Sequence, residues 1–156
     1  MLLTSACRQR FSGTDGKMIF RYNEASGITS LDPAFSRDQA TNWVCNHLYN
    51  SLLQLDSNLN VRPSLAKSWT VSSDGLLYTL VMRNDVRFHD NACFKDGTGR
   101  IVTAYDAEYS LRRLLDPVLN SPGSWVMGQV ERINGFPSIH ACNDTVLTIR
   151  LKEPFP

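Results

Sequence analysis

Two side chains able to do chemistry, His89 and Cys93, stand four positions apart. On a helix that spacing would put an imidazole and a thiol on one face, as a metal site or a nucleophile and base pair requires. The neighbouring Asn91, Gly97 and Gly99 favour a loop instead, and a metal needs more ligands than this pair supplies. The pair therefore reads as a satisfied polar histidine and an ordinary cysteine. His47 lies beside the apolar stripe of a helix and reads as a residue of the helix surface or core edge. No GxSxG elbow, phosphate-cradling glycine loop, HExxH pair or calcium loop occurs. No catalytic residue, metal or cofactor is therefore expected, and a secreted hydrolase working through Cys and His is kept as an alternative. Asn143-Asp144-Thr145 matches a glycosylation sequon but reads as a turn.

The cysteines are Cys7, Cys45, Cys93 and Cys142. They allow three full pairings, and no CxxC spacing points to zinc or a redox pair. Cys45, Cys93 and Cys142 each read as small buried hydrophobes. Cys7 differs, because Met1-Leu2-Leu3-Thr4-Ser5-Ala6-Cys7 has the apolar run and small residues that resemble a bacterial lipoprotein processing site. In such sites the cysteine becomes the lipidated first residue of the mature chain. Thr4 stands where leucine is commonest, and there is no basic start; the alternative is an apolar start with an unmodified Cys7. With lipid on Cys7, one disulfide among the remaining three is the maximum. Residues 1–17 are expected to be a signal remnant and a flexible tether, since Phe11 to Lys17 is polar and holds two glycines. Residues 18–156 are expected to fold.

Positioning any site requires a core, and the composition allows one: 42% of residues are apolar and 20% charged. The 16 basic and 15 acidic side chains nearly cancel, so no long-range field gathers nucleic acid or anionic lipid. No apolar run reaches the roughly 18 residues of a membrane-spanning helix. Met18 to Tyr22 reads as a strand, and Leu31-Asp32-Pro33 redirects the chain. Ala40, Val44, Leu48 and Leu52 predict an amphipathic helix over Gln39 to Leu55, facing the core with Trp43 beside the stripe. A polar connection over Asn58 to Pro63 and an ordered segment from Leu65 to Val71 follow. The turn Ser72-Ser73-Asp74-Gly75 leads into a strand over Leu76 to Arg83, with Tyr78, Leu80 and Met82 on one face. Asn91 to Arg100 is a loop or hairpin tip. Thr103 and Asp106 form a capping box that starts a helix ended by Pro117, with Tyr105 and Tyr109 expected to pin it against the Tyr78 to Met82 strand. Glu108 pairs with Arg112 across one turn. Val146 to Leu151 alternates as a strand after the Asn143-Asp144 turn. Strands and helices mix without a strict repeat, so the class is α/β or α+β.

The order of these segments is specific. Ser30-Leu31-Asp32-Pro33 precedes a helix, then come Pro63-Ser64-Leu65-Ala66-Lys67-Ser68-Trp69 and Ser73-Asp74-Gly75. Val86-Arg87-Phe88-His89-Asp90, Val102-Thr103-Ala104-Tyr105-Asp106, Leu111-Arg112-Arg113-Leu114-Leu115-Asp116-Pro117 and Leu151-Lys152-Glu153-Pro154-Phe155-Pro156 complete it. From about Ile19 to Pro156 the chain resembles the family 5 extracellular solute-binding proteins, the oligopeptide-, dipeptide- and nickel-binding components of ABC importers. It departs from the family in a longer passage from Asn91 to Ile101, where Asn91 replaces the usual glycine, a change a hairpin tip tolerates.

The resemblance implies an α/β, class II periplasmic-binding-protein-like two-lobed fold, with only the N-terminal part of the first lobe present and the second lobe absent. It implies hinge closure on a ligand and no covalent chemistry. The implied partners are a peptide or other small solute, the permease subunits of an ABC importer and, through Cys7, a membrane; nucleic acid is not among them. It also implies an extracytoplasmic location, in the periplasm or at the cell surface. Ser36, Arg37, Asp38, Gln39 and Ala40 match the strip that lines the ligand in peptide-binding members, and they equally read as a helix start capped by Asp38. Nickel, haem, opines and oligosaccharides are alternative ligands on the same fold. A regulatory protein with this fold as its sensor is a further alternative, but the stretch before Ile19 is too short for a helix-turn-helix. Metabolic labelling with a fatty acid is expected to mark the mature protein and to be lost in Cys7→Ala; equal label in both would contradict the anchor.

Overall fold

The computed structural model describes residues 21–155. Cys7, the tether and Met18 to Phe20 lie outside the described residues. Arg21 and Tyr22 have no regular structure, so the expected strand does not include its last two residues.

The core is built on an antiparallel sheet. β3 (Ala66–Val71), β4 (Leu77–Met82), β7 (Ile139–Ala141) and β8 (Val146–Arg150) lie in the order β3-β4-β8-β7. β4 carries the alternation read from sequence: Leu80 and Met82 are buried, with Tyr78 half-buried on the same face. Leu80 sits opposite Trp69 of β3 and Leu147 of β8, which sets the register. The β3–β4 turn needs Gly75 at φ +73°, a left-handed conformation that costs glycine little. β1 (Leu53–Leu55) pairs with β2 (Val61–Pro63), and β5 (Arg132–Ile133) with β6 (Phe136–Pro137).

One helix covers the sheet. α2 (Ala104–Arg113) starts at Thr103, whose backbone N–H donates to Asp106 Oδ2 at 2.8 Å, as the capping box predicts. Arg100 holds the same carboxylate with a two-point fork at 2.7 and 2.5 Å. Ala104 joins Ala66, Leu80, Met82, Val130, Ile139 and Leu147 in the buried core, with Ala107 and Leu111 packed against it. The tyrosines do not pin the helix: Tyr105 is 51% and Tyr109 68% exposed. Each residue turns a helix by about 100°, so the stripe of Ala104, Ala107 and Leu111 faces inward and the tyrosines, one or two positions on, face away. The small alanines let the helix approach closely. α2 also ends at Arg113, well before Pro117.

α2 does a second job at the sheet edge. Arg112 Nη2 donates to the Ile139 carbonyl at 2.7 Å, the Ala141 N–H donates to Glu108 Oε2 at 2.7 Å, and Glu108 and Arg112 pair at 2.9 Å. Two outward backbone groups of edge strand β7, the Ile139 carbonyl and the Ala141 N–H, are thereby satisfied rather than left open to another strand.

The first helix departs from expectation. α1 runs over Gln39–Leu48 and then stops. The residues expected to continue it are extended: Leu53 to Leu55 pair with Val61 to Pro63, and the carbonyls of Ser51 and Leu52 accept from the N–H groups of Leu65 and Ala66. Sheet pairing outcompetes the helical periodicity here. Ala40, Thr41 and Cys45 form its buried face, while Trp43 and Leu48 are exposed. Among the described residues, none from 21 to 50 joins the sheet core. Cys45 is buried as expected, whereas Cys93 and Cys142 are exposed, and these three thiols are free. The last two sit in a surface loop and beside a hairpin turn, where no core is available to cover them.

The long passage from Asn91 forms turns closed by a bridge between Arg87 and Ile101. Its anchor is Gly99, whose N–H donates to Asp90 Oδ1 at 2.9 Å; a Cβ there would fall 1.8 Å from the Phe88 carbonyl oxygen. Gly99→Ala should therefore destabilise by about 1–3 kcal/mol in urea unfolding, and unchanged stability would show that the loop is not pinned there. Asp106 carries the helix start, and Thr103→Ala should cost about 1 kcal/mol by the same measurement.

Candidate functional site

The five residues of the expected ligand strip lie between a 3-10 turn, Pro33–Phe35, and the body of α1. Asp38 is the helix cap: its Oδ1 accepts from the Thr41 N–H at 2.8 Å, and its Oδ2 from the Thr41 and Thr29 hydroxyls at 3.1 and 3.3 Å. The Thr41 N–H, followed by the Thr41 hydroxyl, holds this carboxyl below its ordinary value. Ser36 donates its hydroxyl to Asn42 Oδ1 at 2.6 Å and its N–H to the Pro33 carbonyl at 3.2 Å. Arg37 and Gln39 are exposed and Ala40 is buried.

Asp38, Gln39 and Ala40 line an open depression of about 320 Å³ together with Glu24, Ser26, Gly27, Thr29 and Trp43. Ser36 and Arg37 fall outside that lining. The structure therefore brings three of the five strip residues to one concavity, whose lining residues are mostly polar and include Trp43. Nothing in the set forms a nucleophile and base pair. His89 and Cys93 are both exposed and sit in the loop region. Among the described residues, no three His, Cys, Asp or Glu side chains gather as a metal site would require, and no helix is long and apolar enough to cross a membrane.

The strip's position is set from below. Asp32 accepts a fork from Arg113, with Nη1 to Oδ1 at 3.1 Å and Nη2 to Oδ2 at 2.7 Å. The same Oδ1 accepts from the Ala34 N–H at 3.0 Å and so caps the 3-10 turn. Ser121, which is buried, donates its hydroxyl to the Ala34 carbonyl at 2.5 Å. Leu31 is tied to α1 through its carbonyl, which accepts from the Tyr49 hydroxyl at 3.0 Å. The Arg113 guanidinium holds the Asp32 carboxyl below the ordinary carboxylate range.

A second concavity, about 390 Å³, lies past the end of α2 and was not foreseen from sequence. Leu115, Asp116, Ser121, Trp125, Arg132 and Lys152 are among its lining residues. Trp125 is 79% exposed. The available signal was a lone tryptophan in the polar, turn-rich stretch Ser121-Pro122-Gly123-Ser124, where no apolar periodicity explains it. Two of the polar groups are already engaged: Lys152 donates to the Gly128 carbonyl and Asp116 accepts from the Val118 N–H, both at 2.8 Å.

The architecture is a helix-covered antiparallel sheet with a helical segment tied to it and open concavities beside both. The chain belongs to the bacterial extracellular solute-binding proteins, family 5, whose middle region matches over residues 60–156. It is 30% identical to a dipeptide-binding protein of Lactococcus lactis over 154 residues, which cover 93% of this chain and 26% of that protein. The glutathione-binding protein GsiB of Escherichia coli K12 is 30% identical over 133 residues, covering 83% of this chain and 23% of GsiB. The chain thus spans about a quarter of the length of the curated relatives it matches. Among solved structures, NikZ of Campylobacter jejuni in complex with Ni(L-His) matches with TM-score 0.65 and 29% identity, over 83% of this chain and 23% of NikZ. OppA of Listeria monocytogenes bound to peptide matches with TM-score 0.72 and 25% identity, over 82% of this chain and 26% of OppA. The expected α/β class II periplasmic-binding-protein-like fold is the fold found.

The Asp32 and Arg113 fork gives a direct chemical test. In a carboxyl-carbon NMR titration Asp32 should titrate below about 3.9, the value of a free aspartate, and move up toward it in Arg113→Met. Because the folded value is depressed, the fork's contribution is present above the unfolded value and is lost as pH falls through the folded one. An Asp32 that titrates at its ordinary value in the wild type would contradict the pair.

Proposed function

We propose that this chain forms part of the binding wall of an ABC importer's substrate-binding protein, which captures peptides outside the cytoplasmic membrane and delivers them to the permease. The observation that carries this reading is the strip itself, whose residues Asp38 to Ala40 line an open concavity of backbone and short polar groups at a helix start. Such a surface suits a ligand recognised mainly through its own backbone, because backbone groups are common to peptides of every sequence. The names of several relatives point the same way, among them the dipeptide-binding protein, GsiB and the murein tripeptide binding protein MppA of Escherichia coli, 28% identical at TM-score 0.67. Asp38, engaged as the helix cap, contributes an ordered carboxylate, and Gln39 and Ala40 contribute main chain. Lipid on Cys7 would tether the protein to its membrane. The work is capture and release, with no covalent step.

A nickel complex is the second reading, supported by the likeness to NikZ in complex with Ni(L-His). The two separate by titration. A di- to pentapeptide mixture carrying a photoreactive group should label the chain within residues 36–43, and nickel with L-histidine should not compete. Loss of label to nickel–histidine would favour the second reading. The affinity of this chain alone should be weak, because tight binding in such receptors comes from burying most of the ligand and excluding the water that competes for its backbone. Each exposed backbone bond is worth only about 0.5–1.5 kcal/mol net, against an association cost of several. Calorimetry showing micromolar or tighter peptide binding by this chain alone would contradict the claim that it supplies only part of a two-lobed site.

A further inference from the structure

The described chain divides at about Asn50. On one side the sheet body has a continuous apolar core drawn from Ala66 to Leu147. On the other, the segment carrying the 3-10 turn and α1 buries Ala34, Ala40, Thr41 and Cys45 and gives no residue to that core. Its internal ties are its own: Thr29 to Asp38 and Thr41, and Tyr49 to the Leu31 carbonyl. Two polar ties from the body meet at one place, the turn Asp32-Pro33-Ala34: the Arg113 fork and the Ser121 hydroxyl.

We propose that Arg113 is a positioning residue: through Asp32 it is the latch that seats residues 30–48, and with them the strip from Ser36 to Ala40, on the sheet body. Three features of the geometry carry this. The fork joins residues 81 apart in sequence and uses both carboxylate oxygens, so it fixes orientation as well as distance. Asp32 spends the same Oδ1 on the Ala34 N–H, so the group that receives the latch also shapes the turn leading directly into the strip. Arg113 itself stands at the last position of α2, and five other side chains of that helix are committed to the sheet: Ala104, Ala107 and Leu111 to the core, Arg112 and Glu108 to β7. The body end of the latch is therefore rigid, and the strip end follows it. That the seated strip faces a ligand rests on the function proposed above; that Arg113 seats it does not.

Amide hydrogen exchange on the unliganded chain decides the matter whether or not a peptide binds. In Arg113→Met the amides of residues 39–48 should exchange at least tenfold faster than in the wild type, while those of β4, β8 and α2 keep their rates and the thermal midpoint of the sheet body stays in place. Arg113→Lys, which retains the charge but loses the fork, should fall between. Asp32→Asn, which keeps an oxygen for the Ala34 N–H, should reproduce the pattern of Arg113→Met, and the double variant should be no faster than either single one. Faster exchange throughout the sheet would make Arg113 a stabiliser of the body, and unchanged exchange in residues 39–48 would show that other contacts seat the segment; either result overturns the proposal. Absence of peptide labelling in the wild type would bear only on the function and leave the latch standing.

Discussion

The arrangement of the N-terminal segment depends on one carboxylate. Asp32 has two oxygens and three donors to serve, the Ala34 N–H and two guanidinium N–H groups of Arg113. Its side chain and that of Arg113 are each about a third exposed, at 31% and 30%. That intermediate burial matters. A fully exposed pair is worth about 0–1 kcal/mol, because water competes and two side chains must be ordered. A deeply buried one pays heavily to shed its water. A partly sheltered fork held from both ends by backbone structure avoids most of each penalty. Pro33 restricts the turn beside it, and the chain passes from that turn through Ser36 and Arg37 to Asp38, Gln39 and Ala40 at the depression.

The sheet body needs no such arrangement, since apolar burial holds it. Its hazard is the opposite one, an exposed edge at each side of a short sheet. α2 settles one edge with Arg112 and Glu108, which take up the Ile139 carbonyl and the Ala141 N–H. At the other edge β3 carries an irregularity between Ala66 and Ser68 with an exposed lysine, Lys67, at the fault, a combination that discourages pairing with a second chain. The loop from Asn91 to Arg100 is attached without disturbing either: Asp90 and Phe88 hold Gly99 at its base, and Arg100 leaves the loop to lie 5.0 Å over the Phe88 ring and to grip Asp106. The loop thus ends on the carboxylate that caps the next helix, and it braces the scaffold there.

Much of this was legible in the sequence where local chemistry and burial agree. The alternation in Leu77 to Met82, the Ser72 to Gly75 turn and the Thr103–Asp106 cap read directly, because each is decided within a few residues. Failures came where a distant partner decides. Leu52 continues a helical stripe, yet Ser51 and Leu52 accept from Leu65 and Ala66, and those bonds require extended chain. Tyr105 and Tyr109 have helical spacing, but so do Ala104, Ala107 and Leu111, and only close packing on the sheet selects the smaller set. β7 is three residues long, too short to show alternation. At the site, Asp38 as a helix cap was readable beforehand. The fork between Asp32 and Arg113 was not, since nothing in either neighbourhood names a partner 81 positions away.

With a packed sheet body and a separately packed segment carrying the strip, the placement of the proposed binding wall is set by polar bonds at one turn. A double-mutant cycle of Asp32→Asn and Arg113→Met, read on the opening free energy of α1 from native-state exchange, tests that most directly. The account predicts a coupling of about 1–3 kcal/mol between the two positions. A coupling within about 0.3–0.5 kcal/mol of zero, the scatter of independent sites, would contradict it and place the support of the strip elsewhere.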